Sequence, residues 1–367
     1  AVTGFASADD VTVENGSLSA MSSADSGVTW TGTFTPSADT TDATNVMTLG
    51  TSWTDVAGNA YAGAALNTAN YTVDTDAATA TIALADSALK IGETSLVTIT
   101  FSEAVTGFAS ADDVTVENGS LSAMSSADSG VTWTGTFTPS ADTTDATNVI
   151  TLANSYTDAA GNTGTAATSS NYTIDTVLPT ISSFVMDDTA LFTGDTSTAT
   201  ITFSEAVTGF ASADDVTVEN GSLSAMSSAD SGVTWTGTFT PSADTTDATN
   251  VMTLGTSWTD VAGNAYAGAA LNTANYTVDT DAATVSFVSS TSPNGNYILG
   301  DQINILLYFS ESVVVTGTPQ LTLENGSSDA IANYSSGSGS SALLFTYTVS
   351  AGDNSTDLDY TATNSLA

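Results

Sequence analysis

Apolar residues alternate with threonine along much of this chain. Val97, Ile99 and Phe101 are separated by Thr98 and Thr100, and Ala199, Ile201 and Phe203 by Thr200 and Thr202. A period of two places one set of side chains on a buried face and the other in water, which is the pattern of a strand and not of a helix. Val114 and Val116 read the same way, as do Val131, Trp133 and Phe137 across Thr132, Thr134 and Thr136, and Tyr172 with Ile174. Turn-forming clusters break these runs: Asn118-Gly119, Asp128-Ser129-Gly130, Pro139-Ser140-Ala141-Asp142 and Ala160-Gly161-Asn162. About seven short strands per ~100 residues, with no helical stretch between them, predict an all-β fold of Ig-like antiparallel β-sandwiches with almost no helix.

The alternation recurs because the sequence recurs. Residues 1–79 reappear unchanged at 206–284, and residues 1–46 once more at 104–149. A chain built this way is a tandem array, and its function is expected to be a property of the array. The segment Asn-Tyr-Thr-Val/Ile-Asp-Thr closes a unit at 70–75, 171–176 and 275–280. These ends divide the chain into a partial repeat lacking its first two strands (1–75), two complete repeats (76–176 and 177–280) and a divergent, truncated Ig-like or cadherin-like repeat (281–367). Linkers of a few residues predict domains joined end to end in an extended rod. The partial first unit reads as a window on a longer polypeptide, with completion by a strand from another subunit as the alternative.

Charge narrows the partners. The chain holds one basic residue, Lys90, against 40 acidic ones, for a net charge of −39, and has no Arg, His or Cys. Nucleic acid and anionic membrane surfaces would repel it. Its expected partners are cations, the adjacent repeats of the same chain, and other copies in a fibre or a surface ligand reached through domains outside this window. It is not a disordered acidic tail, because 41% of its residues are hydrophobic and fall in patterned segments. No apolar run is long enough to span a bilayer, so this segment is not expected to insert in a membrane.

Tracing the strands from pole to pole gathers acids at each joint between domains. The first complete joint collects Asp74 and Asp76 from the linker, Glu103 from the end of a strand, Asp112 and Asp113 from the next loop, and Asp158 with Asn162 from a later one. The second collects Asp175, Glu205, Asp214, Asp215, Asp260 and Asn264. The third offers Asp279, Asp281 and Glu311 without a matching Asp-Asp loop. Two carboxylates ~4 Å apart repel by roughly 4 kcal/mol at an effective dielectric of 20, so a cluster with no basic partner calls for a cation. An all-oxygen set with neither nitrogen nor sulfur suits structural calcium, Ca2+. The competing reading is that Asp and Asn here only shape turns and keep a repetitive β-protein soluble.

Other signals are weaker. Trp30, Trp133 and Trp235 occupy inward strand positions and read as core, while Trp53 and Trp258 precede the joint loop and read as its apolar cover. Paired carboxylates can hydrolyse glycosides, but the same acids recur in every copy at a domain joint, so the chain is read as no enzyme.

The linker Asp-Thr-Asp-Ala-Ala-Thr, the strand ending Phe101 to Phe108 (FSEAVTGF), the Ala-Asp-Asp-Val-Thr-Val segment and the loop Thr157 to Asn162 (TDAAGN) resemble tandem bacterial Ig-like repeats of giant cell-surface adhesins of the RTX and biofilm type. The resemblance covers the first three units; the fourth keeps Phe309 to Glu311 and otherwise departs from it. It implies an extracellular chain, on the cell surface or secreted, that extends a binding tip and is stiffened by calcium at its joints. A subunit of an extracellular filament or surface layer is the alternative, and a spacer or carbohydrate-binding module of a secreted hydrolase a third reading.

Overall fold

The computed structural model describes residues 1–326 and 328–367. In residues 76–176, four antiparallel strands form one layer in the order Ala80–Leu84, Ser95–Phe101, Thr132–Pro139 and Gly119–Leu121. The facing layer starts with Ala88–Lys90, which runs parallel to Tyr172–Asp175. Tyr172–Asp175 pairs in turn with Thr144–Asn148, and Ile150–Leu152, just beyond, pairs with both Val114–Val116 and Ala167–Thr168. Two short layers of this order make an Ig-like sandwich. Residues 177–280 repeat it, from Ile181–Met186 and Ser197–Phe203 in the first layer to Ala190–Phe192 parallel to Tyr276–Asp279 in the second.

The alternation does what it predicts. Ser95, Val97, Ile99 and Phe101 are buried while Leu96 and Thr100 are exposed, so one face of that strand lies on the core. Phe137, Ile150 and Tyr172 meet it from the other strands, with Phe137 and Tyr172 edge to face at 5.2 Å. Gly119 sits where a Cβ would lie 2.4 Å from the Phe137 ring and 2.6 Å from the Thr138 carbonyl oxygen, so only glycine lets the two strands approach. Tyr172 also donates its hydroxyl to the Glu117 carbonyl at 2.5 Å, tying the last strand to the opposite layer's connection. Helix among the described residues is confined to three four-residue turns, Ser7–Asp10, Ser110–Asp113 and Ser212–Asp215. Among the described residues no helix is long and apolar enough to cross a membrane.

Residues 1–75 hold only the counterparts of the later strands. Gly16–Leu18 pairs with Phe34–Pro36, Val11–Val13 with Met47–Leu49, and Thr41–Asn45 with Tyr71–Asp74. Nothing in the described residues takes the place that Ile181–Met186 and Ser197–Phe203 hold in residues 177–280. Residues 281–367 form a single antiparallel sheet in the order Val285–Ser290, Gln302–Val313, Ser340–Thr348, Ala330–Ser336, Gln320–Glu324 and Asp359–Tyr360, with Leu307, Phe345 and Ala332 in its core.

Candidate metal centre at the domain joints

The loop that closes each joint is an aspartate wrapped by its own backbone. Asp158 Oδ1 accepts hydrogen bonds from the N–H groups of Ala160, Gly161 and Asn162 at 2.9, 2.7 and 2.9 Å, and its Oδ2 accepts one from the Asn162 amide at 2.8 Å. The turn needs Gly161, whose φ of +95° is costly for a side chain. Burial by itself would raise the Asp158 carboxyl, but the bonds from Asn162, Gly161 and Ala160 outweigh it and hold the group below the ordinary aspartate range. The loop thus delivers a buried, ionised carboxylate.

Two further acids face it. Asp74 arrives at the end of the preceding domain's last strand, and Glu103 stands just past Ser95–Phe101; carboxylate oxygens of Asp74, Glu103 and Asp158 all lie within 4.8 Å of one another. Burial first, and then the charges of Asp74, Asp158 and Asp76, push the Glu103 carboxyl above its ordinary range. Asp76 is near enough to act on Glu103, and the Thr41 hydroxyl sits 3.0 Å from Asp74 and 2.8 Å from Asp76, holding the two linker acids side by side. The Asn162 amide reaches across the joint to the Asp74 carbonyl at 3.1 Å.

The second joint repeats the geometry with fewer acids. Asp175, Glu205 and Asp260 converge within the same 4.8 Å, and Asp260 and Asn264 are buried. Burial, then Asp175 and Asp260, raise the Glu205 carboxyl. Val177 stands where the first linker has Asp76, and its N–H donates to Asp175 at 3.3 Å. Asn264 donates to the Asp175 carbonyl at 2.9 Å and accepts the Ile91 N–H at 2.9 Å. Lys90, the chain's single basic side chain, lies here too, its Nζ 3.5 Å from the Gly263 carbonyl and 4.0 Å from Glu93.

The Asp-Asp loop does not join either cluster. Asp113 Oδ2 accepts the Ala109 N–H at 2.7 Å and its Oδ1 the Ser155 hydroxyl, its carboxylate is not among those that converge on Asp74, Glu103 and Asp158, and Asp112 is exposed. Asp215 is held in the same way by Ala211, with Asp214 exposed beside it. These side chains follow a helical turn that the alternation pattern does not show, which is why pole-to-pole tracing places them at the joint. At the third joint the Thr246 hydroxyl lies 3.0 Å from Asp279 and 2.9 Å from Asp281, as at the first. Glu311 lies within the long Gln302–Val313 strand, and no triad forms there among the described residues. Lys90, Ile91 and the linker-holding threonines carry no local sequence signal; only their pairing across the fold marks them.

The donor set fits calcium. Oxygens that share one ion at ~2.4 Å can be at most ~4.8 Å apart, and a site of carboxylates and carbonyls suits a cation that takes six to eight oxygens. A model of the bacterial Ig-like domain matches residues 1–73, 74–174 and 175–278, most of the chain. This chain belongs to the bacterial Ig-like domain family. Both acidic triads of the bacterial Ig-like array fall where one matched repeat meets the next. No curated protein matches it. Among solved structures, seven chains match. One is FdeC, described as a novel, broadly conserved Escherichia coli adhesin eliciting protection against urinary tract infections. It is 14% identical with a TM-score of 0.36, over 74% of this chain and 88% of its own. A likeness that loose bears on neither the geometry nor the task of these Ig-like repeats.

Proposed function

We propose that this chain is a structural extender of an extracellular adhesin, a row of Ig-like domains stiffened by calcium at its joints. The observation that carries the reading is that the same three carboxylates, from linker, strand end and wrapped loop, meet at two successive joints. An ion there bonds residues of both domains at once and so restrains the angle between them. Without it, Glu103 and Glu205 face like charges in partly buried surroundings, and the joint relieves that repulsion by taking up a proton or by opening. The recurrence of identical acids in each copy favours a mechanical role over a reaction, because catalysis needs one cleft and this chemistry is repeated at contacts between domains.

Extracellular millimolar calcium is the setting in which such sites fill, since modules of this kind bind with ~0.1 to 1 mM dissociation constants. The test is calorimetric titration of the full chain with calcium beside small-angle scattering in excess calcium and in excess chelator at matched ionic strength. Two sites in that affinity range, with a smaller radius of gyration on chelation, are the expected result. No heat and superposable scattering curves would return these acids to ordinary turn residues.

A further inference from the structure

Lys90 is the single basic side chain in these 367 residues, and it stands where residues 76–176 (domain 2) meet residues 177–280 (domain 3). A protease whose specificity pocket takes a lysine or arginine side chain therefore finds one bond to cut, Lys90–Ile91. That bond is not hidden, since Lys90 is half-buried and Ile91 is 45% exposed. It is held from three sides instead. Ala88–Lys90 runs parallel to Tyr172–Asp175, with Lys90 opposite Asp175 and Leu89 in the core. The Glu93 N–H returns to the Lys90 carbonyl at 3.2 Å and Gly92 stands at φ +78°, so the chain turns back directly behind the bond. The nitrogen of the bond itself is bound by the next domain: the Ile91 N–H donates to Asn264 Oδ1 at 2.9 Å, and Lys90 Nζ lies 3.5 Å from the Gly263 carbonyl.

A protease takes the residues on both sides of the bond as one extended segment, and here one side is a paired strand and the other a turn tied to a neighbouring domain. Cutting therefore waits on local opening, and its rate follows the population of the open form. We propose that Lys90–Ile91 is a conditional cleavage site for a trypsin-like protease, closed while domain 3 is docked on domain 2 and opened when that joint bends. Hydrolysis breaks the bond between the Lys90 carbonyl carbon and the Ile91 nitrogen; water supplies the hydroxyl of the new Lys90 carboxyl group and the proton of the new Ile91 amine. The products are residues 1–90 and 91–367. The Asn264 anchor belongs to the acidic cluster of this joint, because its amide donates to the Asp175 carbonyl at 2.9 Å and to Asp260 Oδ2 at 2.8 Å. Asp175 thus meets the site twice, as the strand partner of Lys90 and as an acceptor for Asn264. An ion shared by Asp175, Glu205 and Asp260 would fix the anchor and keep the bond closed. That coupling rests on the calcium reading of the joints; the guarding of the bond by Asn264 does not.

The test is digestion of the full native chain with trypsin. The rate at which fragments 1–90 and 91–367 appear is divided by the rate for a synthetic Ala85–Ser95 peptide in the same buffer, which removes any effect of calcium on the protease. The wild type should be cut at least about a hundredfold more slowly than the peptide. In chelator, Asn264→Ala should be cut at least about fivefold faster than the wild type, the worth of one lost hydrogen bond in the opening equilibrium. Calcium should slow the cut in the wild type and have little effect in Glu205→Gln. A wild type cut as fast as the peptide, or Asn264→Ala cut no faster than the wild type, overturns the proposal. Rates for the wild type that are equal in calcium and chelator leave the guard standing and remove its coupling to the ion. Hydrogen exchange of the wild type is a second measure that needs no variant. Among the described residues the Gly92 N–H, one position on, has no partner. Relative to unfolded-chain rates, the Ile91 amide should exchange at least about tenfold more slowly than that of Gly92, and equal exchange also overturns the proposal.

Discussion

The Ile91 backbone N–H, in one domain, donates to Asn264 Oδ1, in the next, at 2.9 Å. Asn264 also donates to the Asp175 carbonyl and to Asp260, as Asn162 does to Asp74 and Asp158. The second joint is therefore held by direct contacts between its two domains as well as by its acids, with Lys90 against Gly263 beside them. Asn264→Ala should weaken that hold. Residual dipolar couplings of the full chain in chelator should show domains 2 and 3 losing common alignment in the variant before they do in the wild type.

Replacing Glu103 with Gln and Asp158 with Asn should remove one of the two proposed calcium sites. An ion present at a hundredfold excess over its dissociation constant stabilises its folded site by ~2.7 kcal/mol. The double variant should forfeit about that much of the calcium-dependent stabilisation at the first joint and keep the second. Calorimetry reads this as a drop from two sites to one, and an unchanged stoichiometry would contradict the assignment.

The carboxyls of Glu103 and Glu205 lie above the ordinary value of 4.5, so over the window above it the folded joint binds more protons than the unfolded chain. Their contribution is fully present below that value and lost as pH rises through the folded values. In chelator, the wild type should gain more stability between about pH 7 and about pH 5 than Glu103→Gln/Glu205→Gln does. In excess calcium the order reverses, because protons compete with the ion. Asp128 and Asp230, lowered to about 2 chiefly by the N–H groups of Thr132 and Thr234, act oppositely: their stabilisation holds above 3.8 and fades as pH falls towards 2. Melting curves across the acid range separate the two effects.

Tyr172 and Tyr276 are pushed up to about 12, chiefly by burial, while their hydroxyls donate to Glu117 and Glu219. Stability from these phenols is present below the ordinary value of 10 and lost as pH rises to about 12. Tyr172→Phe should cost ~1 kcal/mol, the net worth of one hydrogen bond, with some addition for the orphaned carbonyl. Denaturant unfolding at neutral pH measures that, and absorbance of the phenolate measures the delayed titration.

Gly221→Ala should destabilise domain 3, because the new methyl would meet the Phe239 ring at 2.2 Å and the Thr240 carbonyl at 2.7 Å. Overpacking of this kind costs about 1 to 3 kcal/mol. Thermal melting of the variant beside the wild type measures it.

Much of this fold is legible along the chain because a sandwich strand has one wet and one buried face, so Val97, Ile99 and Phe101 declare their side through the threonines between them. The acids at the joint are legible only in part. Asp113 and Asp158 are the same residue type, both buried, both accepting hydrogen bonds within their own loops. One is turned to Ala109 and Ser155, and the other faces Asp74 and Glu103. Which of them meets the linker depends on a helical turn and on strand pairing between residues far apart, and neither leaves a local mark.

The octapeptide Thr-Trp-Thr-Gly-Thr-Phe-Thr-Pro makes the division plain. Its alternation determines, wherever it occurs, that Phe34, Phe137 and Phe239 turn towards the core and the threonines away from it. At 132–139 and 234–241 it is a full strand, because Ser95–Phe101 and Ser197–Phe203 lie along its edge; at 29–36 only Phe34–Pro36 is strand. Periodicity chooses the face of a strand, since each side chain's direction is local. How far the strand extends, and whether its apolar face is closed, the tertiary structure alone decides, because a backbone edge and a buried face both require a partner from elsewhere in space.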